Sequence, residues 1–259
     1  MCAVTITLVW KIGAAAVLMA IALAVGTITY INHTRPQALG LASPAPRTPA
    51  PSPSPEDPLV AACRPPSAPQ DSTEVTGLWL VQPGSIAGYR AHEKFAEVTS
   101  PHDAVARTDH LSGWLLIVGS DGAPAIESGC VAVDVRTLVS VDVLPGFDVS
   151  DRDKIARDFL SAASHPFVVF KPYATPLKLS ASSSAVQRVT LAGDLEIQGV
   201  TFPASFRLDV RLSSGTVTAA GQATVNAPKY GVEVPREAGG FVRVNPDIVL
   251  EVSLILLRS

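Results

Sequence analysis

From Val131 to Val143 every odd position is Val or Thr, while Asp134, Arg136, Ser140 and Asp142 take even positions. Side chains alternate across a strand, so this period of two predicts one long strand with a single buried face. The alternation returns in Val189, Leu191, Leu195 and Ile197 against Thr190, Asp194, Glu196 and Gln198. It returns again in Phe202, Ala204, Phe206, Leu208, Val210 and Leu212 against Ser205, Arg207, Asp209 and Arg211. These two strands are expected to form a hairpin around Gly199. A further strand, Val217 to Val225, follows the turn Ser213-Ser214-Gly215, and Ile248, Leu250, Val252, Leu254 and Leu256 form the last. Tyr89 to Val98 and Ser112 to Val118 are less regular. Seven or eight long antiparallel strands result, the number that closes into a small barrel. One helix interrupts them. Ser150-Asp151-Arg152-Asp153 resembles a capping box, and Ile155, Phe159 and Ala162 fall on one face. It should end before His165-Pro166 and either cap the barrel or pack outside it. Its charges, Arg152, Asp153, Arg157 and Asp158, read as a solvated face.

The N-terminal third has a different texture. Residues Ile12 to Ile31 carry no charge and, as a helix, match the hydrocarbon thickness of a bilayer. The run passes into Thr27-Ile28-Thr29-Tyr30-Ile31 without small residues in a cleavage arrangement, which favours a retained anchor over a cleaved signal peptide. Lys11 and Arg35 flank it symmetrically and leave its orientation undecided. Eleven of the 22 prolines lie between Pro36 and Asp71. Extended chain at about 3.1 Å per residue would let this spacer hold a domain on the order of 100 Å from the lipid. The expected organisation is a short cytoplasmic segment (1–11), a transmembrane anchor (12–31), a disordered Pro/Ala/Ser-rich linker (32–76) and one folded domain (77–259). Leu59-Val60-Ala61-Ala62-Cys63 imitates a lipobox but lies too far from the apolar run to act as one.

Charge removes one class of function. With 20 basic against 23 acidic residues and a net charge of −3, the chain lacks the positive field of a nucleic-acid binder. Three cysteines, at positions 2, 63 and 130, and five histidines show no metal-ligand or redox spacing, so no cofactor is expected. Nucleophile-elbow, P-loop and dinucleotide fingerprints are absent, and the chain reads as a non-enzyme.

Four stretches then come together: Trp79-Leu80-Val81-Gln82-Pro83-Gly84-Ser85 with Gly88-Tyr89-Arg90; Arg157-Asp158-Phe159-Leu160 with His165-Pro166-Phe167-Val168-Val169-Phe170; Val189 to Thr201; and Pro228-Lys229-Tyr230-Gly231-Val232. In this order they resemble the YceI-like family, lipocalin-shaped extracytoplasmic bacterial proteins that hold a polyisoprenoid chain in an eight-stranded barrel. The resemblance runs from Leu78 to the C-terminus. It implies an all-β antiparallel eight-stranded lipocalin-like barrel with one short helix, here preceded by a single transmembrane helix, and it places the domain outside the cytoplasm. Cleavage of the N-terminal segment would make the protein secreted.

Alternation assigns Tyr89, Trp114, Val133, Val135, Phe170, Leu195, Ile197, Phe206, Leu208, Leu250 and Leu254 to the barrel interior. Such a lining binds by excluding water. At about 25 cal/mol per Å², each isoprene unit would contribute roughly 2–3 kcal/mol before ordering costs. The same side chains would also fill a closed core, and Ala219, Gly221 and Ala223 tilt the choice towards a cavity. Arg90, His92 or Lys171 could meet a phosphate headgroup. If Val131 points inward, Cys130 points outward, where Cys63 could reach it; in an oxidising compartment the two would form a disulfide, the alternative being two free thiols. The leading expectation is a carrier or sequestering protein for an isoprenoid lipid in the cell envelope, with the membrane and an apolar lipid as partners. The alternative is a stalk-displayed interaction module with a packed barrel, acting as a homodimer or on another envelope protein.

Overall fold

Inward apolar and outward polar side chains alternate most cleanly along Val200–Ser213, where Ala204, Phe206, Leu208, Val210 and Leu212 are buried and Ser205, Arg207 and Asp209 are exposed. This is the pattern of a wall with an oily inner face. The computed structural model describes residues 35–42, 57–70, 72–95, 102–119, 123–143, 149–178, 185–213, 215–234 and 242–259. In chain order the elements are α1 (Pro58–Ala62), β1 (Gly77–Val81), β2 (Ile86–Phe95), β3 (His102–Thr108), β4 (Leu111–Val118), β5 (Ala125–Asp134) and β6 (Val139–Ser140). There follow α2 (Val149–Phe159), β7 (Phe167–Pro172), β8 (Thr175–Pro176), β9 (Gln187–Ile197), β10 (Val200–Ser213), β11 (Thr216–Asn226), β12 (Val242–Val244) and β13 (Asp247–Arg258).

β1 and β2 are two halves of one bent strand, and β3 and β4 are two halves of its antiparallel neighbour: Leu80 faces Trp114 and Ala87 faces Thr108. The wall continues through β5, β7, β9, β10, β11 and β13. It closes because β13 pairs with both halves of the first strand, Leu250 with Tyr89 and Leu256 with Val81. Counting each bent strand once, this is an antiparallel barrel of eight strands with β6, β8 and β12 as short additions. The β9–β10 hairpin turns at Gln198 (φ 53°) and Gly199 (φ 76°), the two positive φ values of a type I′ turn.

Four expectations need correction. The long strand Val131–Val143 stops at Asp134, whose carboxylate accepts from the Arg136 N–H and opens a 3-10 turn over Val135–Thr137. Beyond that turn the alternation persists with inverted facing: Val139, Val141 and Val143 are exposed, and Asp142 is buried. β3 has no counterpart among the expected strands, because its burial pattern has no period of two. The end of the linker is ordered too. Asp57 caps α1, Val75 is buried beside Trp79, and the Trp79 indole donates to the Val75 carbonyl at 3.0 Å. Finally, three of the charges of α2 are engaged rather than solvated: Arg152 and Asp153, as shown below, and Arg157, which donates to the Leu138 carbonyl at 3.1 Å, while Asp158 is exposed.

Cys63 and Cys130 form a disulfide with a Cα–Cα distance of 5.4 Å. Cys130 and Ala132 face away from the barrel interior, and α1 lies over them with Leu59 and Ala62, so the bridge ties the end of the linker to the outer wall. The expected anchor, 12–31, lies outside the described residues. Among the described residues no helix is long and apolar enough to cross a membrane.

Candidate ligand site

The barrel encloses a cavity of about 930 Å³. That is near the upper end of the roughly 300–1,000 Å³ found for small-molecule sites. Its lining is almost wholly apolar and comes from every wall: Tyr89 from β2, Val133 from β5, Phe170 from β7, Leu195 and Ile197 from β9, Phe206 and Leu208 from β10, Leu250 and Leu254 from β13, and Val135 from the 3-10 turn. Space remains because several inward positions carry almost no side chain. Ala87, Ala91, Ala104 and Ala219 all line the void. Gly221, on the same face as Ala219, has no room for a Cβ, which would lie 1.9 Å from the Arg207 carbonyl oxygen. The small residues of β11 are plain in the sequence, whereas Ala87, Ala91 and Ala104 escape notice there. The repeated alanine at inward positions of β2 and β3 is the signal that would have found them.

Trp114 is a correction. Leu115 and Ile117 point into the cavity from β4, so Trp114 points out, where it packs against the Cys63–Cys130 cluster. Its irregular strand offers no alternation from which to set the phase.

The two ends of the barrel differ. At one end Ile117, Ile126, Leu177 and Leu256 are all buried. At the other, α2 lies across the opening with Arg152, Ile155, Ala156 and Phe159 lining the void, and the exposed lining residues Asp151, Ile155 and Glu233 gather there. The Gln198 side-chain amide donates to the Phe159 carbonyl and fastens the end of α2 to the β9–β10 hairpin. The cavity therefore opens under α2.

A polar cluster holds this rim. Asp142 accepts from Arg152 Nη2 at 2.6 Å, from the Val105 N–H at 2.9 Å, and lies 2.7 Å from His102 Nε2. Burial by itself would raise the Asp142 pKa, but these hydrogen bonds outweigh it and hold the carboxyl down at about 2. Asp153 accepts from both the N–H and the hydroxyl of Ser140, which ties α2 to β6. Glu93 points inward from β2 with a side chain 8% exposed, and its Oε2 lies 3.6 Å from Arg152 Nη1. Burial raises the Glu93 pKa against the opposing pull of Arg152 and His102. Burial likewise pushes the Tyr89 phenol up to about 12.

The three residues expected to meet a headgroup do not line the cavity. Arg90 and His92 face out from β2, where Arg90 binds Glu251 and Asp103 and His92 contacts Asp103. Lys171 is exposed on β7, whose neighbours Val168, Phe170 and Pro172 face in. In each case the strand's phase decides: the inward positions belong to Tyr89, Glu93 and Phe170. Among the described residues, no group of three or more His, Cys, Asp or Glu could hold a metal ion.

A family model described as the YceI-like domain matches residues 91–256. The chain belongs to the YceI-like family. Solved structures similar to it include a polyisoprenoid binding domain from Saccharophagus degradans implicated in plant cell wall breakdown. It is 18% identical, with 70% of this chain and 98% of that one covered and a TM-score of 0.49. Others are BcnA of Burkholderia cenocepacia, at 17% identity, 65% and 95% coverage and a TM-score of 0.45, and the YceI protein of Campylobacter jejuni, at 10%, 64% and 90% with 0.44. No curated protein sequence matches the chain. The YceI-like match begins within β2, so β1, the disulfide-tied α1 and the preceding residues extend beyond it.

Proposed function

We propose that this YceI-like protein binds an isoprenoid lipid, or a similarly elongated apolar molecule, inside its barrel and sequesters or carries it in the cell envelope. The observation that carries the reading is the apolar cavity of about 930 Å³ opening under α2. Removing an apolar chain from water there gains roughly 25 cal/mol per Å², and an interior held open by a closed sheet needs little reorganisation to accept it. The polyisoprenoid-binding description of the Saccharophagus degradans domain agrees with this chemistry. Three features support a binder over an enzyme: the lining is apolar, Asp142 and Asp153 at the rim are engaged with Arg152, His102 and Ser140, and the sequence lacks a nucleophile motif. The disulfide supports an extracytoplasmic site for the domain, since such bonds persist in oxidising compartments. The apolar run from Ile12 to Ile31 supports tethering to the membrane. The packed interaction module loses its main argument, because the interior is not filled.

Mass spectrometry of an organic extract from purified full-length protein tests the reading. A long-chain lipid at about one per chain is the expected result. A protein that yields no lipid and takes up none from vesicles containing a prenyl lipid would overturn it.

A further inference from the structure

The rim contains buried polar atoms that the fold leaves unused. Arg152 Nε and Nη1 and Glu93 Oε2 are buried without a hydrogen-bond partner. Buried polar groups are ordinarily satisfied, and each exception calls for a water, an ion or a ligand. Three of the six such atoms among the described residues sit together here. Nη1 and Oε2 are 3.6 Å apart, too far for a direct hydrogen bond, and both side chains line the same apolar cavity at its open end.

The structure assigns this pair, in our reading, as the headgroup site for an uncharged hydroxyl, so that the barrel selects a prenol or quinol end over a phosphorylated one. The assignment rests on the carrier reading above. One hydroxyl oxygen accepts from Arg152 Nη1 and sends its proton to Glu93 Oε2, satisfying a donor and an acceptor at once. A phosphate can accept from Arg152 but meets Glu93 with lone pairs and charge on both sides. Arg152 is the one cation among the described lining residues, against Glu93, Asp151 and Glu233, while the Glu251 carboxylate is already held by Arg90 and Arg107. Asp142 behind Arg152 further offsets its charge. A dianion entering this rim gains one partner and faces several carboxylates.

The test is equilibrium binding to the full-length, lipid-stripped protein of three probes with one chain length: the prenol, its monophosphate and the corresponding hydrocarbon. The prenol should bind about tenfold more tightly than either of the others, as expected for one charge-assisted hydrogen-bonded site. Glu93→Gln keeps the Arg152–Asp142 ion pair and should narrow the gap between prenol and phosphate. Arg152→Lys keeps a cation at the rim but removes the Nη1 donor. It should weaken the prenol and leave the hydrocarbon unchanged, which a merely loosened helix would not do. Phosphate binding as tightly as prenol, or prenol binding no better than hydrocarbon, would overturn the assignment while leaving the carrier reading intact. Failure of all three probes to bind would overturn both.

Discussion

The wall made by β9 and β10 and the corner made by β3, β6 and α2 bury their side chains by opposite means. The wall has one covered face. Leu191, Leu195, Phe206 and Leu208 point into the barrel, and Asp209 and Arg188 meet only at the solvated surface, 3.5 Å apart and 51% and 94% exposed. The corner is covered on both sides. Val105 and Ala106 are both buried, and Asp142, with a side chain 1% exposed, is surrounded by His102, Arg152 and the Val105 N–H. An ion pair of the first kind adds little to stability, whereas breaking one of the second kind strands its partners in a medium that cannot hydrate them.

The largest effect should therefore come from Asp142→Ala, which leaves Arg152 and His102 without their acceptor and should cost about 3–5 kcal/mol in denaturant unfolding. Asp209→Ala, the matching change on the wall, should leave the unfolding midpoint unaltered. Equal effects would abolish the distinction. Next in size is the Cys63–Cys130 bridge, which closes a span of 67 residues. Replacing both cysteines by serine should cost about 2–4 kcal/mol, with lipid content unchanged because the bridge lies on the outer wall. Loss of lipid in that variant would mean that α1 governs the interior as well.

The smallest effect lies in the pH profile, where two rim carboxyls act in opposite senses. Asp142 has a folded pKa near 2, below its ordinary 3.8. Its contribution is complete above pH 3.8 and disappears as pH falls through 2. Glu93 is shifted upward from 4.5. Its contribution is present below pH 4.5 and is lost as pH rises through the folded value. Glu93→Gln should gain stability relative to the parent protein progressively above pH 4.5 and match it in acid. Parallel curves for the two proteins would show that Glu93 is not strained by its charge.

The same contrast explains which parts are legible in the sequence. β9 and β10 show their inward faces directly, because solvent on the outer face favours polar residues at every second position; β11 and β13 keep a continuous apolar inward set although Thr218, Ala220, Glu251 and Ile255 on their outer face are buried as well. That phase places Leu195, Ile197, Phe206, Leu208, Leu250 and Leu254 in the cavity. The alternation around Val131 also places Cys130 on the outside, within reach of Cys63. Where a second layer covers the strand and polar and apolar positions are mixed, the rule fails. Trp114 lies under α1, β3 is buried by its ion pairs and by β6, and Asp142 occupies an interior position that the alternation assigns to its neighbours Val141 and Val143. The rim pair Glu93 and Arg152 is hidden for the same reason. Their partners come from β2, α2 and the segment that follows β6 and are brought together only by closure of the barrel.

The claim on which the function depends is that the empty interior is the ligand site. Ala219 sits mid-wall, opposite Val210 on one side and Leu254 on the other, with its methyl group on the cavity. Ala219→Phe places a ring in the void without touching the rim, the disulfide or the outer wall. Equilibrium binding of a long-chain prenol to this variant, with far-ultraviolet circular dichroism to verify the fold, is the most direct measurement. The account predicts a folded barrel whose prenol binding falls at least about tenfold, the scale expected when a ring takes the place of ligand carbons on the apolar lining. A folded variant that binds prenol as tightly as the parent would place the ligand elsewhere and contradict it.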